Sequence, residues 1–466
     1  MNRTAVLNVV GLTEALLGER TPHITAFRRH GALAHLDPAF PAVTTTAQSN
    51  YLTGQRPAQH GVVGNGWYHR ELAEVQFWKQ SNKLVYGRKI WDDLRARDPG
   101  FTCAKLFWWY NMYSSADYSI TPRPMYPADG RKVFDIYSWP FSIRGDIKRD
   151  LGEFPFPGFW GPNAGLQSPV GAPDCATRWI AESAKWIEKR FQPTLNLVYL
   201  PHLDYNLQRL GPQHPDIITD LRLIDDLVSE LILFFQQRKV QVVLLSEYGI
   251  TPVDKAIHLN RIFRERGWLT VKEELGLELL DAGASRVFAV ADHQVAHIYV
   301  NDPALLNQVR SAIEITPGVA AVLAEQEKLT AGINHSRAGD LIAVAKENAW
   351  FTYYYWLDDA RAPDFARCVD IHRKPGYDPV ELFIDPKLRA PKIKVASKLL
   401  KKKLGFRMLM DVVPLDAALV KGSHGCRPAN VADWPVLITE RRDLLSAHPL
   451  DSTAAYDIIK HHVVPA

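Results

Sequence analysis

Continuous apolar runs alternate with amphipathic stretches along the first half of the chain. Residues 5–10 (AVLNVV), 194–200 (TLNLVYL) and 240–245 (VQVVLL) are apolar runs of the kind that form buried parallel strands. Two stretches with apolar residues at helical spacing, 172–191 and 217–231, precede the second and third runs. Strands that alternate with helices predict an α/β fold, in which helices cover both faces of a mostly parallel sheet.

Two regions depart from this alternation. Residues 101–170 are rich in aromatic residues, Pro and Gly, which predicts an insertion that caps the site or a surface excursion packed by its own aromatic residues. Residues 286–356 hold two strand-like runs around an amphipathic helix, which predicts a small α+β appendage. The expected division is a core of residues 1–100, 171–285 and 408–466, an aromatic insertion over 101–170, and a small α+β subdomain with a basic segment over 286–407.

The basic segment, residues 387–407 (KLRAPKIKVASKLLKKKLGFR), contains nine Lys or Arg and no acidic residue. Ile393, Ala396, Leu400 and Leu404 recur at helical spacing, so the segment predicts a basic amphipathic helix. One interpretation is contact with an anionic membrane surface or a phosphate-rich partner. The alternative, which we favour at this point, is a surface helix whose apolar stripe packs on the domain.

Composition narrows the functional classes. The chain has 466 residues, 47% of them hydrophobic and 23% charged, as in an ordinary soluble globular protein. Its net charge of +4 is too small over this length to indicate nucleic-acid binding. The four cysteines form no CxxC pair, which argues against a thiolate zinc site and a disulfide framework. Since no apolar stretch approaches the ~18 residues of a membrane span and no leader segment is recognisable, we expect a cytoplasmic protein.

Short polar clusters carry the candidate chemistry, because ligands gather at the carboxyl ends of parallel strands. The sequence contains no Walker A loop, HExxH, GxGxxG or GxSxG motif. In chain order the clusters are FPAVTTT (40–46), LTG (52–54), HGVVGN (60–65), PHLD (201–204), SEYG (246–249) and GSHG (422–425).

This ordered series resembles the alkaline phosphatase superfamily, most closely its nucleotide pyrophosphatase/phosphodiesterase branch. FPAVTTTAQSNYLTGQRPAQHGVVGNGWY is similar to the nucleophile segment, GSHG to the last metal-histidine motif, and TPHITAFRRHG to the opening helix. The resemblance implies an alkaline-phosphatase-like hydrolase. Such enzymes use a Thr or Ser alkoxide for phosphoryl transfer and two divalent ions, usually zinc.

Carried over position by position, the resemblance assigns the nucleophile to Thr44. Asp204 and His424 fall at ligands of the first ion. Glu247 falls where the second site normally has an aspartate, and its longer carboxylate can still reach a metal. Arg337 and Arg427 carry guanidinium groups suited to phosphate, and together with His202 and Tyr248 they are the candidates for substrate binding.

Four positions depart from the family pattern. Val10 replaces an aspartate ligand, Tyr248 and Gln208 replace histidines, and Ala47 replaces an asparagine that helps to bind phosphate. The second site thus keeps at most Thr44 and Glu247, fewer than the three or four ligands that zinc needs. The departures predict one ion rather than two, held by Asp204 and His424, with Gln208 and Glu247 as further candidate ligands. Mg²⁺ or Mn²⁺ suits this oxygen-rich set better than zinc.

The sequence therefore predicts a metal-binding phosphodiesterase or nucleotide pyrophosphatase that acts on a small-molecule phosphate ester through Thr44. The alternative is a pseudoenzyme, a catalytically degenerate or repurposed member of the superfamily that binds a phosphorylated or lipid-like ligand. Val10, Tyr248 and Gln208 motivate this second hypothesis, because they stand at metal positions with weak ligand atoms or none.

Overall fold

The computed structural model describes residues 1–129, 131–165, 175–446 and 449–464. The end of the expected insertion, at residues 166–170, and the start of the helix predicted from residue 172 lie outside the described residues.

The strands in chain order are β1 (Thr4–Val9), β2 (Ala32–Asp37), β3 (Gly66–His69), β4 (Glu74–Phe77), β5 (Cys103–Leu106), β6 (Tyr118–Pro122), β7 (Ile136–Trp139), β8 (Leu195–Leu200), β9 (Gln241–Leu245), β10 (Thr251–Pro252), β11 (Lys255–Ile257), β12 (Val271–Glu274), β13 (Leu277–Leu280), β14 (Val287–Asp292), β15 (Val295–Val300), β16 (Val319–Leu323), β17 (Leu341–Ala345), β18 (Ala349–Phe351), β19 (Gly422–Ser423), β20 (Val436–Thr439) and β21 (Leu450–Asp451). The α-helices are α1 (Pro22–His30), α2 (Thr44–Thr53), α3 (Pro57–His60), α4 (Ile90–Arg97), α5 (Ile143–Leu151), α6 (Ala176–Phe191), α7 (His202–Leu210), α8 (Ile217–Gln236), α9 (Leu259–Glu265), α10 (Leu306–Glu314), α11 (Glu325–Thr330), α12 (Pro391–Lys403) and α13 (Ala454–Val463).

Nine strands of the described residues form the central sheet, in the order β21-β2-β20-β9-β1-β8-β5-β6-β7. The pairs that β1 forms with β8 and β9 are parallel, and only the pairs that involve β20 or β7 are antiparallel. Every residue of β1 is buried, and successive side chains of a strand point to opposite faces, so both faces of the sheet are covered. The predicted α/β class and the three predicted strands are confirmed.

Two groups of helices cover this sheet. Helices α1 and α6 both pack against α8, and α6 and α8 contact strands β8 and β9. Helix α13 contacts β1 and packs against α2 and α4. The helices predicted over 172–191 and 217–231 correspond to α6 and α8, whose apolar faces are buried against the sheet.

The central sheet extends into the region that we expected to form a cap. Strands β5, β6 and β7 lie within residues 101–170 and continue the sheet beyond β8. The boundary expected at residue 101 is therefore wrong for these strands. They are short and interrupted by aromatic turns, so they gave no clear strand periodicity in the sequence.

A second sheet lies in the expected appendage. Strands β14, β15, β17 and β16 pair antiparallel in that order, and α10 contacts β16. Tyr68 and Phe77 of the β3-β4 hairpin belong to its apolar core, as do the aromatic side chains of residues 353–356.

The basic segment forms α12, as predicted, but its apolar stripe is exposed. Ile393 is 73% exposed, Leu400 58% and Leu404 64%. The interpretation in which this stripe packs on the domain is therefore wrong. Over the part of the chain that the structure describes, no helix is both long and apolar enough to cross a membrane.

Candidate active site

Parallel strands bring the polar clusters to one edge of the central sheet. In the register of the sheet, Val9 of β1 lies beside Leu200 of β8, and Asn8 lies beside Leu245 of β9. The segments that follow these three strands therefore begin side by side. The turn after β9 needs a glycine, because a Cβ atom at Gly249 would lie 1.8 Å from the Asp433 carbonyl oxygen.

Thr44 is the first residue of α2. Val43 before it has an extended backbone, and the side chain of Thr44 is almost completely buried at 4% exposure. The first turn of a helix carries a partial positive charge that favours an anion, although the Thr45 N–H of this turn already donates to Asn65 Oδ1 at 3.1 Å. Thr44 therefore stands where a phosphoryl group would be stabilised.

A chain of hydrogen bonds, which we call the Thr44 relay, leads from this hydroxyl into the site. The Tyr248 hydroxyl lies 3.1 Å from Thr44 Oγ1 and donates to Asp204 Oδ1 at 3.1 Å. A tyrosine hydroxyl has one proton, so Thr44 is the donor to Tyr248. On its other side Asp204 accepts from Gln208 Nε2 at 2.9 Å, and Gln208 Oε1 accepts from the Tyr377 hydroxyl at 2.9 Å.

Helix α7 explains how two members of the relay meet. Asp204 and Gln208 are four residues apart on this helix, so their side chains lie on the same face one turn from each other. Burial raises the pKa of Asp204 to about 7, although the hydrogen bonds from Gln208 and Tyr248 oppose the shift. The carboxyl group is therefore poised between its charged and neutral forms near neutral pH.

Glu247 lies beside the relay with its own partners. Its Oε1 atom accepts from Asn8 Nδ2 at 2.5 Å and from Gln48 Nε2 at 2.6 Å, whereas Oε2 has no hydrogen-bond partner within the described residues. Burial raises the pKa of Glu247 to about 8, against the effect of these two amides. Glu247 is therefore largely protonated at neutral pH.

Four aromatic rings pack one against the next, and we call them the four-ring stack. Two of them belong to Tyr248 and Tyr377 of the relay. His424 stacks on Tyr248 with ring centroids 3.6 Å apart, His293 lies 3.6 Å from His424, and Tyr377 lies 3.6 Å from His293. His424 Nδ1 lies 2.7 Å from the Ala42 carbonyl and must donate to it, which leaves Nε2 unprotonated and, among the described residues, unpartnered. Burial lowers the pKa of His424 to about 3, so the ring is neutral.

The structure thus brings together Thr44, Asp204, Gln208, Tyr248, Glu247 and His424. The other three candidates make their contacts elsewhere. His202 Nε2 lies 2.8 Å from Asp220 Oδ1. Arg337 donates to the carbonyls of residues 61 and 84 and lies over the rings of residues 67 and 86. Arg427 pairs with Asp37 at 2.8 Å.

Sequence reasoning missed four residues of this site. Asn8, Gln48, His293 and Tyr377 all contact the predicted residues, directly or through the four-ring stack. Asn8 did give a signal, since an amide in the middle of an otherwise apolar strand needs a buried partner. His293 and Tyr377 gave none, because they come from the second sheet and from a loop whose placement depends on tertiary contacts.

That loop is fixed by a buried ion pair. Lys374 Nζ lies 2.7 Å from Asp378 Oδ2 and 2.7 Å from Glu381 Oε1, and all three side chains are at most 2% exposed. Lys374 and Asp378 are thus buried, although the stretch 370–378 (DIHRKPGYD) has the composition of a solvated surface loop. The backbone N–H of Tyr377 also donates to the Ala291 carbonyl at 2.9 Å, which holds this ring beside β14.

Comparison with known proteins assigns the chain to a family. The family model for type I phosphodiesterase / nucleotide pyrophosphatase matches residues 4–378, most of the chain. The chain belongs to this family. Its members normally use divalent metals such as zinc. The identification of the family from its motifs is confirmed.

Individual relatives are distant. An uncharacterized pyrophosphatase/phosphodiesterase of Schizosaccharomyces pombe is 23% identical over 256 residues, which cover 52% of this chain and 44% of the yeast protein. The match therefore spans less than half the length of that relative.

Solved structures share the fold over almost the whole chain. Phosphonoacetate hydrolase from Sinorhizobium meliloti 1021, in complex with phosphonoformate, matches with a TM-score of 0.61 at 14% identity, over 99% of this chain and 96% of that one. An inactive variant of murine ectonucleotide pyrophosphatase / phosphodiesterase 5, in complex with AMP, matches with a TM-score of 0.58 at 14% identity, over 99% and 95%.

The donor atoms of this family member do not fit the ions that the family uses. A zinc ion needs three or four converging ligands. Among the described residues, the only three His, Cys, Asp or Glu side chains with ligand atoms within 4.8 Å of one another are His23, Asp225 and Asp226, on α1 and α8. At the site, both Asp204 oxygens accept hydrogen bonds and the Tyr248 hydroxyl bridges Asp204 and Thr44.

Proposed function

We propose that the chain cleaves a small-molecule phosphate ester by transferring the phosphoryl group to Thr44 Oγ1 and then to water. The observation that carries this proposal is the Thr44 relay, in which the hydroxyl at the start of α2 is connected through Tyr248 to a buried carboxylate. Family membership supports the reaction class.

The first step forms the bond from Thr44 Oγ1 to phosphorus and breaks the bond from phosphorus to the ester oxygen. The Thr44 proton moves to the Tyr248 oxygen as the Tyr248 proton moves to Asp204 Oδ1. Water supplies the proton that the leaving alkoxide takes up. The amino end of α2 stabilises the negative charge on the phosphoryl oxygens.

The second step returns the site to its starting state. Water attacks the phosphothreonine and the bond from phosphorus to Thr44 Oγ1 breaks. Asp204 gives its proton back through Tyr248 to Thr44 Oγ1, and the attacking water releases a proton to solvent. The expectation of one ion held by Asp204, His424, Glu247 and Gln208 does not enter these steps, since their donor set does not fit an ion.

A second candidate function is binding of a phosphate ester without turnover. It is favoured by the three positions at which family ligands are replaced, Val10, Gln208 and Tyr248. Phosphate esters and phosphonates fit either candidate, because the related structures described above hold AMP and phosphonoformate.

Thr44→Ala tests the first candidate, and Thr46→Ala is its matched control. Thr46 lies on the same helix, but its hydroxyl donates to the Val62 carbonyl at 3.3 Å and takes no part in the relay. We expect wild type and Thr46→Ala to hydrolyse a chromogenic phosphodiester, or its monoester, and Thr44→Ala to be inactive. Intact-mass spectrometry of the quenched wild-type reaction with the monoester should show a phosphoryl adduct that Thr44→Ala lacks.

The same experiment distinguishes the candidates. If wild type shows no turnover with any of Mg²⁺, Mn²⁺ or Zn²⁺, yet calorimetry detects binding of AMP, the chain is a binding protein. Turnover that survives in Thr44→Ala would mean that another group is the nucleophile.

A further inference from the structure

Helix α12 turns two of its lysines, Lys394 and Lys398, towards the protein and its leucines outward. Lys394 Nζ and Lys398 Nζ lie 3.0 Å and 2.7 Å from the carboxylate of Asp411. In a helix of 3.6 residues per turn, Leu400 and Leu404 lie on another face from these two lysines, and both are more than half exposed. This orientation is the reverse of the usual one, in which the apolar face packs on the core.

Helix α12 belongs to a segment, residues 385–412, whose two ends lie next to each other. The backbone N–H of Asp385 donates to the Val412 carbonyl at 2.7 Å, so the two ends of the segment meet. Beyond α12 the apolar surface continues with Phe406 at 65% exposure and Leu409 at 41%. An apolar surface of this kind marks an interaction site when it is contiguous.

Positive charge surrounds this apolar surface. Residues 387–407 contain nine Lys or Arg and no acidic residue, although the whole chain is only +4. Lys392, Lys401 and Lys403 of the helix are exposed, beside the apolar stripe. Long lysine side chains at such positions can reach the headgroups while the apolar residues enter the acyl boundary.

We propose that α12 and the turn after it dock the protein on the surface of an anionic lipid bilayer. The negative charge of the bilayer complements the positive charge of this segment, which favours the bilayer over other partners. A second copy of the chain would place two strongly basic segments face to face, and their repulsion opposes a dimer through this surface. A nucleic acid would pair with the lysines but would leave Leu400, Leu404 and Phe406 without an apolar partner.

Vesicle flotation of the full chain tests the proposal. The probes are vesicles of phosphatidylcholine alone and vesicles in which about one quarter of the lipid is phosphatidylserine. We expect partitioning at least about tenfold stronger into the anionic vesicles, and a loss of most binding when salt rises from about 0.1 M to about 1 M.

Two double variants separate the contributions to binding. The double variant Leu400→Ser with Leu404→Ser removes apolar surface and keeps the positive charge. The double variant Lys401→Gln with Lys403→Gln removes two positive charges and keeps the apolar surface. Leu275→Ser with Lys272→Gln is the matched control, because Leu275 is fully exposed on the β12-β13 hairpin and Lys272 is on the same hairpin. Both α12 variants should lose at least about fivefold in partitioning, while the control should bind like wild type.

Several results would overturn the proposal. Equal partitioning into neutral and anionic vesicles, or α12 variants that bind as well as the control, would show that this surface does not bind an anionic bilayer. A wild-type dimer in light scattering that Leu400→Ser with Leu404→Ser converts to a monomer, without vesicle binding, would assign the surface to a second copy. Binding to a DNA duplex in place of vesicles would assign it to nucleic acid. Circular dichroism melting checks that each variant is folded.

Discussion

Replacing Tyr248 by phenylalanine removes one oxygen atom and both of its hydrogen bonds, to Thr44 and to Asp204, each 3.1 Å long. The ring itself stays, so its stacking on His424 at 3.6 Å is retained and no large cavity forms. The substitution therefore interrupts the Thr44 relay at its middle with little change in packing.

The structure sets the size of both expected effects. Asp204 Oδ1 loses its partner in a fully buried position, and leaving such an acceptor unsatisfied costs about 1–3 kcal/mol of unfolding free energy. The pKa of Asp204, already raised to about 7 by burial, allows the group to become neutral, so we expect the lower half of that range. Loss of a positioned proton acceptor lowers a rate by about 10² to 10⁴.

Guanidinium unfolding and hydrolysis of a chromogenic phosphodiester measure the two effects. Tyr51→Phe is the control, because the Tyr51 hydroxyl donates to the Ser246 carbonyl at 2.8 Å and lies outside the relay. It should lose comparable stability but stay within about threefold of the wild-type rate. If Tyr248→Phe also stays within about threefold while Thr44→Ala is inactive, the relay is not the route of the proton.

Three further predictions concern stability and metal. Lys374→Met leaves the carboxylates of Asp378 and Glu381 buried without their cation and should cost about 3–5 kcal/mol in chemical denaturation; a loss below about 1 kcal/mol would contradict the buried ion pair. Burial lowers the pKa of His297 from 6.5 to about 4, against the opposing effect of the Val63 carbonyl, which lies 2.9 Å from Nε2. Nδ1 accepts from the Gly339 N–H. The contribution of His297 to stability is therefore complete above pH 6.5 and is lost between 6.5 and about 4, by up to about 1.4 kcal/mol per pH unit; His297→Gln should make urea-unfolding free energies fall less steeply over this range. Treatment with a chelator followed by dialysis should leave turnover within about twofold, and stoichiometric metal in elemental analysis together with loss of turnover would show that an ion does bind.

The central part of the fold could be predicted because its strands are continuous apolar runs and its helices are strongly amphipathic. Strands β1, β8 and β9 and helices α6 and α8 have clear periods, and the parallel order that they imply places residues such as Asp204 and Glu247 at one edge. Strands β5, β6 and β7 have four or five residues each between aromatic turns, and such short strands leave little periodicity to detect.

Part of the candidate site could be predicted because it lies directly after the core strands. Residues that follow core strands, such as Tyr248, have positions fixed by the topology, so a local motif is enough to find them. Tyr377 and His293 depend on how a distant loop and the second sheet pack, and no local pattern encodes that packing. For α12 the period was correct and the direction of its apolar face was not, because Asp411, which binds its lysines, lies beyond the helix.

The bridging position of the Tyr248 hydroxyl has a consequence for the cell as well as for the reaction. The hydrogen bonds and stacked rings of this centre form when the polypeptide folds, so the proposed reaction requires no prior loading with an ion. Copper binds nitrogen and oxygen sites more strongly than zinc does. At this centre the Asp204 oxygens and the Tyr248 hydroxyl are engaged in hydrogen bonds, whereas His424 Nε2 and Glu247 Oε2 are unpartnered among the described residues. Under the proposed function, turnover should persist during zinc starvation, when relatives that depend on scarce ions lose activity.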